Sequence, residues 1–434
     1  MSAVSPSSVV HLGLPRPVDA SQLFSLERHF LPLGKCGGHP AWLNPATIPQ
    51  SAELACQVNY LPKIYLTSPF PFWVCGSPMA FLLQVYCPDE PSHAFHRTIF
   101  IFVCRKGNCS KINATPNFAA FRCQLSRENA FFSAESALCP SVVGEVSDPF
   151  FDPSLFARLC VVCGCRAASR CARCARRWYC GREHQIIDWN TAHKGKCEQK
   201  STENGATAKD GDEGDDFAFQ SMKSVEKAEL RQRHGFTLKE FGIELEAEEE
   251  EKSGDGEENE GDEESEEESE SEEEGEEEEN RRKMAEFEKM AEANGVSARD
   301  VDGLEESRRD GAFARFSAAL ALRPEQILRY RRAGVPLLAT DHSPGPPSVV
   351  PACERCGEPR QFEMQLMPNL VALMELDSVG QSVDWATLLV YTCGDSCPGE
   401  EYAREFVFKQ DFVIPAETEE NGAKTKERRN EKKC

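Results

Sequence analysis

The sequence predicts an α+β, β-rich fold in which two halves of similar grammar form one domain. A cysteine-dense segment and an acidic linker, expected to be disordered, separate the halves. Three observations carry this reading. Continuous apolar runs such as Phe81–Tyr86 and Thr98–Val103 read as buried strands. A shared order, Cys-Gly-x-Pro, strand, spacer, strand and cysteine pair, occurs once in each half of the chain, the mark of an internal repeat. Between the copies, Cys160–Cys197 carries nine thiol or imidazole side chains.

Length and charge set the bounds. A chain of 434 residues has room for two or three domains, and 40% hydrophobic content allows real cores. The net charge of −23 is an uneven average: residues 246–279 hold 23 Asp/Glu and one Lys. The remainder is close to neutral, which argues against a broad basic nucleic-acid surface. The start lacks a basic region followed by a long apolar run, so no signal peptide is expected. No run approaches ~20 apolar residues, so no membrane span is expected. Twenty cysteines without a secretory signal point to metal in a reducing compartment.

Taken in order, residues 1–25 are Ser/Pro-rich and expected to be loose. The N-terminal half spans 10–150. Its segment GKCGGHPAWLNP is turn-rich, with Trp42 as an anchor. The repeat groups Cys56, Cys75, Cys104 and Cys109 as one ligand set. Cys56 and Cys75 are far apart in sequence; removing residues 59–74 gives CQVCG, the counterpart of CERCG at Cys353. The apolar, aromatic segment 59–74 therefore reads as an insertion, with a genuine loop as the alternative. Residues 158–198 form the cysteine-dense unit. Residues 200–300 are linker, whose acidic core cannot collapse. Helical spacing occurs within it at Lys223–Phe241 and at Arg282–Ala293, the latter with Met284, Phe287 and Met290 near one face. The C-terminal half spans 310–415. Phe313, Phe316, Leu320, Ile327, Leu328 and Tyr330 read as core helix positions, with Pro324 starting a new helix. Its ligand set is Cys353, Cys356, Cys393 and Cys397. Residues 416–434 are a basic tail, and Cys434 forms no prenylation box.

The central unit carries the densest chemistry. Cys160 and Cys163, then Cys171 and Cys174, are C-x2-C pairs. Cys180 with His184, and His193 with Cys197, have three residues between them. Eight such ligands suit two tetrahedral zinc ions, because thiolate and imidazole match a borderline-soft cation; Cys165 is left over. Catalytic zinc keeps a position open for water, and here both sets are full. In each half, two knuckles at the ends of strands would clamp a further zinc, which makes each a zinc-ribbon-like half. His11, His29, His39, His93 and His96 stand isolated and read as structural or exposed.

The order of pairs and the WYC at Trp178–Cys180 resemble the MYND zinc finger. That resemblance implies interleaved pairing, with Cys160, Cys163, Cys180 and His184 on one ion and Cys171, Cys174, His193 and Cys197 on the other. GGHPAWL, AFLLQVY, the strand ending IFIFVCR, RPEQILRYRRAGVPL at Arg323–Leu337 and FVFKQDF at Phe406–Phe412 extend the likeness. Together with the finger they resemble the programmed cell death protein 2 family over about residues 10–200 and 310–415. The resemblance implies a soluble cytoplasmic and nuclear protein. It also implies a dedicated chaperone of a nascent small-subunit ribosomal protein of the bacterial S5 type, serving small-subunit biogenesis. The segment 59–74 and the long acidic linker depart from the family pattern.

Two other classes compete. An enzyme is not expected: the chain lacks the Asn-His-Ser-Cys core of SET-type methyltransferases, a phosphate loop and a G-x-S-x-G elbow. A transcriptional adaptor would use the finger to dock Pro-rich peptides. No direct nucleic-acid or membrane partner is expected.

Overall fold

Ten strands close into a barrel in the computed structural model, which describes residues 9–19, 26, 34–57, 75–132, 156–197, 224–248, 310–377 and 382–412. In chain order the barrel strands are β1 (His11–Arg16), β2 (Gly34–Cys36), β3 (Ala80–Tyr86), β4 (His96–Val103), β5 (Phe118–Leu125), β8 (Phe241–Ala247), β9 (Leu328–Tyr330), β10 (Arg360–Leu366), β11 (Thr387–Cys393) and β12 (Ala403–Gln410). The order around the barrel is β1, β8, β2, β3, β4, β5, β12, β11, β10, β9 and back to β1. The pairings are antiparallel. β6 (Ser169–Arg170) and β7 (Trp178–Tyr179) form a separate hairpin in the central unit. Four α-helices are described: α1 (Arg182–Asp188), α2 (Ser224–His234), α3 (Gly311–Leu322) and α4 (Asn369–Leu373).

The two halves of the repeat are two arcs of this one barrel. β3–β4–β5 and β10–β11–β12 are meanders, and the first hairpin of each shifts register, at Phe81/Leu83 and at Phe362/Met364. Such bulges bend a strand and let a sheet curl. A glutamine recurs at the same place in both arcs. Gln84 Oε1 accepts from Ala41 N at 2.8 Å, and Gln365 Oε1 accepts from Leu337 N at 2.8 Å. Each Gln side chain also donates to the carbonyl of the same residue. A buried amide thus stands in for a missing strand partner, which backbone groups removed from water require.

Continuous hydrophobicity in β4 has a two-sided cause. All eight residues are buried. Ile99, Ile101 and Val103 share a cluster with Leu366, Leu388 and Val390 from the other arc, so they line the barrel interior. Phe100 and Phe102 belong instead to a cluster with Trp42 and the central unit. The outer face is therefore covered by protein, and the strand shows no polar alternation. Trp42, fully buried, stacks on Phe100 and Phe102 and meets Tyr402 edge-on.

Four expectations need correction. β1 lies within the start that was expected to be loose; its Gly13 lets β9 approach, since a Cβ there would sit 2.8 Å from Leu328 Cβ. β8 lies within the expected linker. Phe241 and Gly242 are buried and Ile243 half-buried as the strand fills the gap between β1 and β2. Ile327, Leu328 and Tyr330 do not continue a helix after Pro324. Leu328–Tyr330 is strand β9, paired on both edges with β1 and β10, and partners on both sides outweigh local helical preference. The helical run from Lys223 stops at His234, where Gly235 turns with φ +62. Segment 59–74, Arg282–Ala293 and the tail 416–434 lie outside the described residues.

Candidate metal centres

Four groups of cysteine and histidine converge, each with its ligand atoms within 4.8 Å of one another. They are Cys56, Cys75, Cys104 and Cys109; Cys160, Cys163, Cys180 and His184; Cys171, Cys174, His193 and Cys197; and Cys353, Cys356, Cys393 and Cys397. In the finger the first pair meets the third and the second meets the fourth.

The spacing between donors identifies what they hold. Sulfurs ~2.3 Å from a tetrahedral zinc sit about 3.8 Å from each other, and a sulfur and an imidazole nitrogen about 3.5 Å apart. Cys163 and Cys180 Sγ are 3.8 Å apart, Cys171 and Cys197 3.9 Å, Cys353 and Cys397 3.8 Å, Cys356 and Cys393 3.6 Å, and Cys75 and Cys104 3.6 Å. His184 Nδ1 lies 3.5 Å from Cys160 Sγ, and His193 Nε2 lies 3.4 Å from both Cys171 and Cys174 Sγ. These are close to tetrahedron edges, and only Cys180 Sγ to His184 Nδ1, at 3.0 Å, is distinctly shorter among the donor distances of the described residues. A disulfide would bring sulfurs to about 2.05 Å, and the described cysteines are free. Zinc is the cofactor these donor sets fit.

One turn builds all four sites. The residue after the second cysteine of a pair has positive φ and donates its amide to the carbonyl of the first cysteine. Gly164 donates to Cys160 at 2.8 Å, Ala175 to Cys171 at 2.9 Å and Gly357 to Cys353 at 2.8 Å. Gly76, with φ +64, donates to Cys56 at 3.0 Å. The pair that the sequence separates is thus reassembled by the same hydrogen bond as the uninterrupted pairs.

Thiol electrostatics repeat the pattern. In each set burial pushes one thiol up, but hydrogen bonds outweigh it and hold that thiol down: Cys75 at about 7, and Cys160, Cys171 and Cys353 below the ordinary value. Cys163 and Cys197 rise through burial and then through contact with the lowered thiol, Cys163 well above its ordinary value and Cys197 to about 11. A bound cation would favour deprotonation of the whole set together. Cys36, Cys87 and Cys123 contrast with them: burial raises each to about 12, and none joins a cluster. The spare Cys165 is buried, with its Sγ directed to the Cys163 carbonyl.

The surroundings tie the sites to the barrel, and most of these residues escaped the sequence reading. Trp42 Nε1 donates to Gly164 O at 2.8 Å, and His39 Nε2 lies 3.0 Å from Val162 O. Gly164 has φ +71, and a Cβ there would strike His39 at 2.7 Å. Beneath the finger, buried Asp188 accepts from Tyr179 Oη and meets His234 Nε2, each at 2.8 Å. Phe236 lies edge-on to the His184 ring, 4.1 Å between centroids. His93, expected to be structural or exposed, meets Ser396 O at 2.7 Å beside the last knuckle.

Two knuckles are held from the opposite arc. Arg122 on β5 reaches the C-terminal site: Nη1 donates to Cys397 O at 3.4 Å and Nη2 lies 3.5 Å from Cys397 Sγ. Lys409 on β12 reaches the N-terminal site, donating to Lys111 O at 3.0 Å and Ser110 Oγ at 3.3 Å. Arg332 adds donations to Gly394 O at 2.8 Å and Cys393 O at 3.2 Å. It also pairs with Glu363, whose carboxylate takes a bidentate grip from fully buried Arg97 at 2.5 and 2.6 Å. Burial alone would raise the Glu363 carboxyl; Arg97 and then Arg332 hold it well below the usual range.

Residues 9–138 match the N-terminal domain of programmed cell death protein 2, and residues 160–197 match the MYND finger. Residues 310–413 match the family described as "Programmed cell death protein 2, C-terminal putative domain". The chain is 36% identical over 403 residues to programmed cell death protein 2 of Bos taurus, covering 92% of this chain and 96% of that one. Against the Rattus norvegicus protein of the same name the identity is 35% over 420 residues, 95% and 99% of the two chains. A shorter match, 37% over 95 residues, links 20% of this chain to 23% of a Schizosaccharomyces pombe protein named probable 20S rRNA accumulation protein 4. No solved structure matches the chain. No helix among the described residues is long and apolar enough to cross a membrane.

Proposed function

Because the chain belongs to the programmed cell death protein 2 family, we propose that it is a zinc-held chaperone of small ribosomal subunit assembly. Its client is a newly made small-subunit ribosomal protein of the bacterial S5 type, met in the cytoplasm and nucleus. The observation that carries the ribosomal link is the similarity to a protein named for 20S rRNA accumulation. Binding rather than catalysis is supported by the donor sets: four protein ligands at each cluster leave no open position for water or substrate. Each arc with its four-cysteine cluster reads as a ribbon-like half.

The seam between the arcs supports a docking role. β5 and β12 pair only over Ala120–Arg122 and Ala403–Glu405. Beyond these pairs the two strands separate around a small opening lined by Phe118, Ala119, Phe406 and Val407, with Glu354, Glu405, Arg360 and Arg404 beside it. An extended client segment would dock here by parting these edges further and adding a strand between them. The run from Glu246 to Glu279 raises the encounter rate with a basic client, and charge of that kind acts mainly on association and fades with salt.

Binding kinetics with the purified client at two ionic strengths test the reading. Deleting 249–279 should slow capture at low salt and leave dissociation nearly unchanged. Cys353→Ser should abolish capture, because metal ligation holds the C-terminal arc. A deletion that speeds dissociation as much as Cys353→Ser would make the tract part of the binding site and sink this division of labour.

A further inference from the structure

The near-neutral sum over the folded chain hides a segregation of charge. Residues 158–197 carry nine Lys/Arg against two Asp/Glu, and one of those acids, Asp188, is buried. Two zinc sites with three thiolates each remove only about two of these positive charges. The fold then gathers the cations at one end. The hairpin register sets Arg170 opposite Trp178. The guanidiniums of Arg158 and Arg170 lie 5.7 and 5.8 Å from the Trp178 ring centroid. The second finger site draws Cys171–Cys174 onto His193–Cys197. Arg170, Arg173, Arg176, Lys194 and Lys196, all exposed, therefore flank the ligands of one metal centre along the chain.

We propose that this end of the finger binds single-stranded RNA. Charge alone would serve any polyanion, an acidic peptide included. The cation–π contacts of Arg158 and Arg170 with Trp178 add planar groups, guanidinium and indole, on which nucleobases stack and glutamate side chains do not. Zinc fixes the backbone that carries the array, so little order is lost on binding. The chain's own tract at 246–279, net −22, is a competitor within the same molecule. This inference stands or falls apart from the client reading.

The test is fluorescence anisotropy on zinc-loaded full chain and on a 249–279 deletion. The probes are a labelled single-stranded RNA of about 12 nucleotides and a labelled oligoglutamate of equal charge. Engagement of about four phosphates gives a log affinity against log salt slope of roughly −3, and the deletion tightens RNA binding about tenfold. Arg170→Glu with Arg173→Glu should weaken RNA about tenfold or more. Lys194→Glu with Lys196→Glu, on the other segment of the same end, should do likewise, so a folding failure in one pair does not decide the matter. Arg170→Lys with Arg173→Lys keeps the charge and should weaken RNA while leaving oligoglutamate unchanged. Zinc counts by native mass spectrometry report whether each variant keeps its fold. The proposal is overturned if neither chain binds RNA, if both charge-reversed pairs bind it normally with zinc intact, or if oligoglutamate binds as well as RNA.

Discussion

Replacing Arg122 with methionine should release zinc from a site that lies 275 residues away in sequence. Arg122 is 1% exposed and makes three kinds of contact: Nε to Glu405 Oε1 at 2.6 Å, its contacts with the Cys397 carbonyl and thiolate, and Nη1 to Gln124. Breaking a buried pair from one side typically costs about 3–5 kcal/mol. Glu405 keeps Arg360, 2.9 Å away, so the loss should fall near or below the low end of that range, about 2–3 kcal/mol. The thiolate has no such reserve. Losing a donor to a metal ligand typically lowers metal affinity about 10–100-fold. The assay is chelator competition followed by thiol alkylation and peptide mapping. Cys393 and Cys397 should become reactive first, while the finger and N-terminal cysteines stay protected. Zinc lost first from the N-terminal site, or lost evenly from all four, would refute the claim that β5 holds the opposite knuckle.

Trp42→Ala removes the anchor between barrel and finger. It should cost about 3–5 kcal/mol and, by limited proteolysis, expose the chain on either side of the finger before the barrel. Glu363→Gln leaves Arg97 buried without its counter-charge and should lower stability at pH 7 by about 3–5 kcal/mol in denaturant titration. The folded Glu363 value is depressed, so its contribution is present above the unfolded value near 4.3 and is lost as pH falls toward the folded one. The gap between wild type and variant should therefore narrow below about pH 4.3; a gap that widens in acid would reverse the assignment. Native mass spectrometry should count four zinc ions, and a loss confined to one ion in Cys56→Ser would place the N-terminal ion on the reassembled knuckle.

The metal centres were the most legible part of the chain. Short cysteine spacings mark a ligand pair whatever the tertiary structure, and the repeat identified the N-terminal set even though Cys56 and Cys75 are separated. Barrel closure was not legible. β8 begins with Phe241 and Ile243 but runs into the acidic tract, whose composition dominated the reading. β9 is only three residues long, too short for period two to show. It exists because β1 and β10 supply both edges. Gln84 and Gln365 carried a signal that the repeat could have supplied: a polar residue at the same place in two buried strands. Arg122, Lys409 and Arg332 gave none, since their partners come from the other arc or from a distant turn. The basic end of the finger was lost in a sum over the whole chain.

The claim that this barrel serves a ribosomal client is tested most directly by co-purification. The full chain, tagged and recovered from actively translating cells, should bring down one stoichiometric partner, a small-subunit ribosomal protein of the bacterial S5 type. Cys353→Ser should lose that partner while the Δ249–279 chain keeps it. Recovery of chromatin factors in its place, with no ribosomal protein at stoichiometric yield, would contradict the account.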